Sequence, residues 1–346
     1  MNPILVEVMR GDAVESTHSG SLIVIDVDGG VVAALGDTER PIFPRSAVKA
    51  LQALPLVESG AADRLGLRDE ELAIACASHS GEPEHVRTAA GMLAKAGVDI
   101  TALECGIQWP KEPFDRALAA SGGVATALHN NCSGKHAGFV CLGCMLAAGA
   151  GVVDGLPGFL RGYVEPAHPV MREVTAALQN TTGFAPGSAR CGIDGCSIPT
   201  FGIELRRLAL AFARFGSGVG LREGHRRAAR RLRSAVAAAP FMVAGTGRFD
   251  TQVQERFGER VFCKVGAEGV YCAALPERGL GVAIKIDDGQ ARAAEVAMAA
   301  VIAALVEMDG AEGQLIESLG RPILLNRNGI SVGGLQPTDA LLRTLG

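Results

Sequence analysis

The sequence predicts an α/β protein: an antiparallel sheet built from both chain ends, flanking helices, and a mainly helical segment inserted between the halves of the sheet. Three observations carry this reading. The N-terminal segment holds apolar and alternating runs around a glycine turn. The middle of the chain repeats apolar residues at helical spacing. The chain then returns to short strand-like runs before one long apolar helix. The expected division is a sheet domain of residues 1–45 and 240–346 and a helical domain of residues 46–239, with the functional groove between them.

In chain order, "ILVEVMRGD" reads as a strand, and "SLIVIDVDGGVVAALG" as a hairpin turning at Asp28-Gly29-Gly30. From Ser46 to about Ala239 helical patterns dominate: "SAVKALQALPLVESG", "EHVRTAAGMLAKAG", "GKHAGFVCLGCMLAAG", "HPVMREVTAALQNTTG" and "IELRRLALAFARFG". Most of them close on glycine, a common helix stop. The basic run "GHRRAARRLRSA" from Gly224 carries apolar residues at helical spacing and reads as a solvated helix face. After it, "RVFCKVG", "GVYCAALPE" and "GLGVAIKID" are strand-like, and "QARAAEVAMAAVIAAL" is a strong final helix.

Composition narrows the function. Hydrophobic residues make up 48% of the chain, enough for a sizeable core, and a formal charge of −4 leaves no footprint for nucleic acid or an anionic membrane. "MNPILVEVMRGD" lacks the features of a secretion signal, and no stretch approaches an uncharged membrane span, so a cytoplasmic protein is expected. Nine cysteines, an odd number, fit that compartment better than a disulfide framework and point to thiol or metal chemistry.

In "FPRSAVKALQALP", Ser46 and Lys49 stand one turn apart at the head of an apolar helix pattern. A serine is a weak nucleophile until a neighbouring base takes its proton, and a lysine serves only when neutral. Further on, "CASHSGEPEH" places Ser78 and Ser80 at a glycine turn, and "FCKVGAEG" ends a strand with Lys264. Serine hydrolases of the β-lactamase and penicillin-binding type combine S-x-x-K, a second serine motif and K-T-G in that order. This chain shows S-A-V-K, S-H-S and K-V-G. Taken singly, these residues read as caps and solvated lysines; jointly that reading weakens.

A second constellation spans "HNNCSGKHAGF" and "CGIDGCSIP". Cys132 and Cys196 are soft donors suited to zinc, and a third ligand is open among His129, His136, Asp194 and a neutral Lys135. Cys191 competes with Cys196 by proximity. Cys141 and Cys144 form a C-x-x-C whose helix period points to buried hydrophobes, and Cys76, Cys105, Cys263 and Cys272 read as core.

These segments, together with "YVEPAHPV", "VAGTGRFDT" and "IKIDDGQARA", resemble the rhizobial-type, thermolabile L-asparaginase II family in family order over most of the chain. The resemblance implies a fold similar to serine β-lactamases and a homodimer. It implies two Ser-Lys tandems, Ser46 with Lys49 and Ser78 with Lys264, and one zinc ion held by Cys132, Lys135 and Cys196. The chain departs from the family pattern at Asp250, where cysteine is common, and at Ser197, where glycine is usual.

The implied activity is hydrolysis of the side-chain amide of L-asparagine to L-aspartate and ammonia. The leading assignment makes Ser46 the nucleophile and Lys49 its base, with Ser78 and Lys264 relaying a proton; the reverse assignment of the serines stays open. Arg45 and Arg248 are candidate partners of the substrate carboxylate, Asp194 of its ammonium, and Asn131 and Ser133 adjoin the metal motif, where they would orient ligands or substrate. Two alternatives stand beside this. A β-lactamase or penicillin-binding hydrolase would be secreted and carry K-[TS]-G. A non-enzymatic zinc-binding regulatory protein would normally close its metal with four protein ligands.

Overall fold

A computed structural model gives the structure of residues 1–152 and 154–346. It consists of two compact units: Met1–Ala47, Gly202–Ser217 and Arg260–Gly346 form one, and Val48–Phe201 with Gly218–Glu259 the other.

The first unit is built on one antiparallel sheet. Its strands are β1 (Ile4–Arg10), β2 (Ala13–Asp26), β3 (Val31–Leu35), β4 (Phe262–Val265), β5 (Val270–Leu275), β6 (Leu280–Ile286), β7 (Ile323–Leu325) and β8 (Ser331–Pro337). They run in the order β7-β8-β1-β2-β6-β5-β4, with β3 also paired to β2. The long β2 joins the chain ends. Its first half pairs with β1, and its second half pairs with β6 from Gly20↔Ile286 to Asp26↔Leu280. The sheet is therefore assembled from both ends of the chain, as the apolar runs predict.

Consecutive residues Leu22–Ile25 of β2 and Val282–Ile284 of β6 are buried, so both faces of the sheet are covered. One cover is the helix Leu205–Ser217, whose stripe of Leu205, Leu208, Phe212 and Phe215 is buried. It lies so close to β6 that a Cβ on Gly281 would fall 1.9 Å from the Ala209 carbonyl oxygen. Only glycine permits that approach. The helix Ala291–Leu305 also packs on β1, β5 and β6.

The boundaries differ from those expected. Residues 202–217 belong with the sheet, and residues 240–259 with the helices. The reason is physical: an amphipathic helix has the same period whether its stripe meets a sheet or another helix.

In the second unit the helix Ser133–Gly149 is apolar on all sides and enclosed. It packs against the helices Asp69–Ala75, Pro83–Lys95 and Pro169–Thr182. Gly134 lets it approach the end of Asp69–Ala75, where an added Cβ would lie 2.4 Å from the Ile74 carbonyl oxygen. The basic helix Glu223–Ala238 buries His225, Ala228, Ala229, Leu232, Ala235 and Val236, while Arg222 pairs with Glu58 at 2.6 Å outside. It is the solvated face that its sequence describes.

The helix expected from Ser46 is broken up. Arg45–Val48 forms a 3-10 turn, followed by Lys49–Gln52 and, where Pro55 interrupts the pattern, Leu54–Glu58. Among the described residues, no helix is long and apolar enough to cross a membrane.

Candidate active site

Lys49 organises the polar core of the helical unit. Its side chain is 1% exposed, and its Nζ donates to the Ala77 carbonyl at 2.6 Å, Ser78 Oγ at 3.0 Å and Cys132 Sγ at 3.1 Å. The lysine of the S-x-x-K motif therefore meets the serine of the S-H-S motif and a cysteine of the metal motif. Local structure fixes each partner. The Ser78 N–H donates to the Val243 carbonyl at 2.9 Å, and the Cys132 N–H to Asn130 Oδ1 at 2.9 Å.

His79 joins the two motif turns. The Gly81 N–H donates to its Nδ1 at 3.1 Å, which leaves the proton on Nε2 to donate to Ser133 Oγ at 2.9 Å. Ser133 Oγ in turn donates to the Leu128 carbonyl at 2.8 Å, and the His79 N–H to the Asn131 carbonyl at 3.3 Å. Three residues further on, the buried Glu82 carboxylate accepts from the Thr246 N–H at 2.8 Å and its hydroxyl at 2.7 Å. Sequence reasoning passed over His79, Glu82 and Thr246. The available signal was the polar run "SHSGE" inside apolar surroundings, because buried polar groups require partners.

Cys132, Lys135 and Cys196 are also brought together. All three are buried, with Lys135 Nζ 3.0 Å from Cys196 Sγ. The hydrogen bond from Cys196 outweighs burial, and Lys49 and Lys135 add to it, so the Cys132 thiol is held well below its ordinary range. Cys196 moves up, through that same hydrogen bond and through burial. Cys132 is thus the more acidic of the two thiols. Burial works against the Lys135 ammonium, but Cys196 and Cys132 beside it keep its pKa above the ordinary value. Among the described residues, no group of three or more His, Cys, Asp and Glu is placed to hold a metal ion, so this set stands on its lysine. His136 Nδ1 is taken by the Tyr163 hydroxyl at 2.7 Å. Burial pushes the Cys141 thiol up to about 12, and Cys144 also rises, as core thiols do.

Arg248 precedes the helix Phe249–Phe257, and its Nη1 is buried without a hydrogen-bond partner among the described residues. Asp194 accepts from the Gly195 N–H at 2.6 Å and contributes to the charge around Lys135. Ser197 closes the same turn at φ 74, a left-handed conformation that glycine adopts without strain. Arg45, Ser46 and Lys264 lie on the sheet unit. Arg45 takes φ 52 directly before Ser46. Lys264 is fully buried at the end of β4, with its Nζ 2.9 Å from the Val265 carbonyl oxygen.

No curated protein matches the chain. Among solved structures it is similar to Mglu at 16% identity and TM-score 0.35, over 85% of this chain and 69% of that one. For Mglu in its native form in 4.3 M NaCl the identity is 16% and the TM-score 0.35, over 92% of this chain and 64% of that one. For a β-lactamase from Mycobacterium bovis the identity is 15% and the TM-score 0.38, over 86% and 94% of the two chains. The L-asparaginase II family, in contrast, matches residues 6–337 in one continuous span. That span takes in both units and every motif residue placed above, and by it the chain belongs to the L-asparaginase II family, which supports an amidohydrolase activity of asparaginase type.

Proposed function

We propose that the protein hydrolyses the side-chain amide of L-asparagine to L-aspartate and ammonia, with Ser46 as nucleophile, Lys49 as its base, and Ser78 and Lys264 relaying protons. The observation that carries this reading is the 3.0 Å contact between Lys49 Nζ and Ser78 Oγ in a chain of this family. Ser46 Oγ attacks the amide carbon and its proton passes to the lysine amine. Ser78 gives the departing nitrogen a proton and is re-protonated from Lys49, ammonia leaves, and water then cleaves the acyl-serine along the reverse path. Arg248, with a buried N–H lacking a partner, suits an α-carboxylate. In the same reading Arg45 shares that carboxylate, Asp194 meets the ammonium, and Asn131 and Ser133 orient the substrate.

Zinc fits the second set. Two buried cysteine sulfurs and an adjacent amine make a soft donor group, and Cys132, Lys135 and Cys196 would hold one ion. When bound, zinc supplies a fixed positive charge and Lewis acidity. Without it, the Lys135 ammonium compensates the Cys132 thiolate, so metal entry displaces protons and zinc affinity rises with pH. Potentiometric titration of the metal-free protein with zinc is expected to release protons; release of none overturns the ligand set. The family resemblance adds a homodimer, which sedimentation checks.

The test of the reaction is ammonia release from asparagine and glutamine by wild type and Ser46→Ala. No asparagine turnover by folded, zinc-supplied wild type overturns the substrate, and full activity in Ser46→Ala overturns the nucleophile.

A further inference from the structure

Away from the Lys49 network, the helical unit carries a cavity of about 410 Å³ between the helices Pro83–Lys95 and Phe114–Ala120. Its walls include Val86, Pro110, Phe114 and Leu118, and its polar groups are Arg87, His129 and Ser121, whose hydroxyl already donates to the Leu118 carbonyl at 2.8 Å. The shorter helix has no fully buried residue, so one wall of the cavity is apolar surface without a complete cover. We propose that this cavity binds a small apolar monocarboxylate, its ring or branched alkyl group against Phe114 and Leu118 and its carboxylate held by His129 and Arg87.

The size and the mostly apolar lining are those of small-molecule pockets. The polar groups select the ligand's charge. The Thr126 N–H donates to His129 Nδ1 at 3.1 Å, which puts the ring proton on Nε2. Burial lowers the pKa of this ring, so it offers one neutral N–H donor. Arg87 pairs with Glu84 at 3.1 Å, but the two side chains are 68% and 57% exposed, a pairing that water screens and that yields readily to a ligand anion. One donor and one cation over apolar walls complement a carboxylate on a hydrocarbon body.

The cavity floor explains how a ligand here would matter. Gly81 takes φ 75 and presses against the other motif turn: a Cβ there would fall 2.8 Å from the His129 carbonyl oxygen. The turns that meet at this point carry Ser78 and Cys132, both bonded to Lys49. The ligand is therefore an effector as well; this part rests on the proposed amide hydrolysis, whereas binding does not.

The chain's single tryptophan, Trp109, is next to the wall residue Pro110 and reports occupancy. Phenylacetate titrated into the whole protein without substrate is expected to give a saturable change in Trp109 fluorescence and matching heat by calorimetry, and acetate none. Ala117→Phe, which fills the cavity from an exposed helix position, is expected to weaken binding by about ten-fold or more. Arg87→Gln is expected to remove the preference for phenylacetate over 2-phenylethanol. Absence of saturation by either method up to about 10 mM overturns the site, as does unchanged affinity in Ala117→Phe. A fluorescence change that follows protein concentration instead of ligand also overturns it, because a second copy then covers this face. Binding with no change in asparagine kcat or KM overturns the effector role.

Discussion

Replacing Lys49 separates a base from a structural cation. In Lys49→Met the chain length is kept and the volume is refilled by apolar atoms, so no large cavity opens. The substitution removes the donor from the Ala77 carbonyl at 2.6 Å, from Ser78 Oγ at 3.0 Å and from Cys132 Sγ at 3.1 Å. Leaving one buried carbonyl without a donor costs about 1–3 kcal/mol. The Cys132 thiolate loses the charge and the hydrogen bond of Lys49, and taking up a proton relieves it. The expected stability loss is therefore about 1–3 kcal/mol, read by urea unfolding. The expected loss in kcat is about 10²–10⁴-fold, the range for a general base. Lys49→Arg keeps a cation that does not deprotonate in proteins. It is expected to retain more stability than Lys49→Met and to be equally slow in ammonia release. An arginine variant within about ten-fold of wild-type kcat refutes proton transfer through Lys49 and leaves it a positioning charge.

Other consequences are independent of the chemistry. Ser197→Gly is expected to stabilise the metal-free protein by about 0.5–1 kcal/mol, because it relieves a left-handed serine at some cost in chain entropy; no gain in the denaturant midpoint contradicts the strain. Gly134→Ala brings a methyl group against the Ile74 carbonyl oxygen and is expected to cost about 1–3 kcal/mol despite alanine's better helix propensity, whereas unchanged or higher stability would show that the helices separate freely. His225 has its pKa lowered to about 4, by burial first and Arg222 second. Its depressed value means that protons favour the unfolded chain, so this contribution to stability is present above the ordinary histidine value of 6.5 and is lost as pH falls from there toward 4. Urea midpoints across that window are expected to fall more steeply for wild type than for His225→Gln, and parallel curves would discount His225.

The central strands were legible because the second half of β2 and all of β6 are short apolar runs bounded by turn residues, the pattern of strands buried on both faces. The place of the helix Leu205–Ser217 was not legible, since its stripe is silent about what it covers. Of the C-terminal strands, β7 is only the three residues Ile323–Leu325, and β8 holds two glycines and ends on proline, so neither carries a strand pattern. In the helical unit, motif order brought out Lys49 and Ser78, whereas Cys132 and Cys196 came from their thiol chemistry and Lys135 from the family resemblance. The contact of Lys49 with Cys132 spans 83 residues, and that of His79 with Ser133 spans 54, and no local period encodes either. The helix-head reading of Ser46 gave way to a 3-10 turn because Pro44 and a left-handed Arg45 precede it.

The double pairing of β2 also bears on how the protein comes into being during synthesis. β1, β2 and β3 pair with one another, but β6, which pairs with β2, and β8, which pairs with β1, leave the ribosome last, so one edge of β2 and one of β1 wait unpaired until residues 280–286 and 331–337 exist. The helical unit has its whole chain once Glu259 is made. Long-range strand pairing of this kind is slow, and an exposed apolar edge such as Leu22–Ile25 is then open to other chains. A nascent chain stalled after Glu259 holds every residue of the helical unit but lacks the strand that pairs with Gly20–Asp26, and the window for aggregation closes only when β6 arrives.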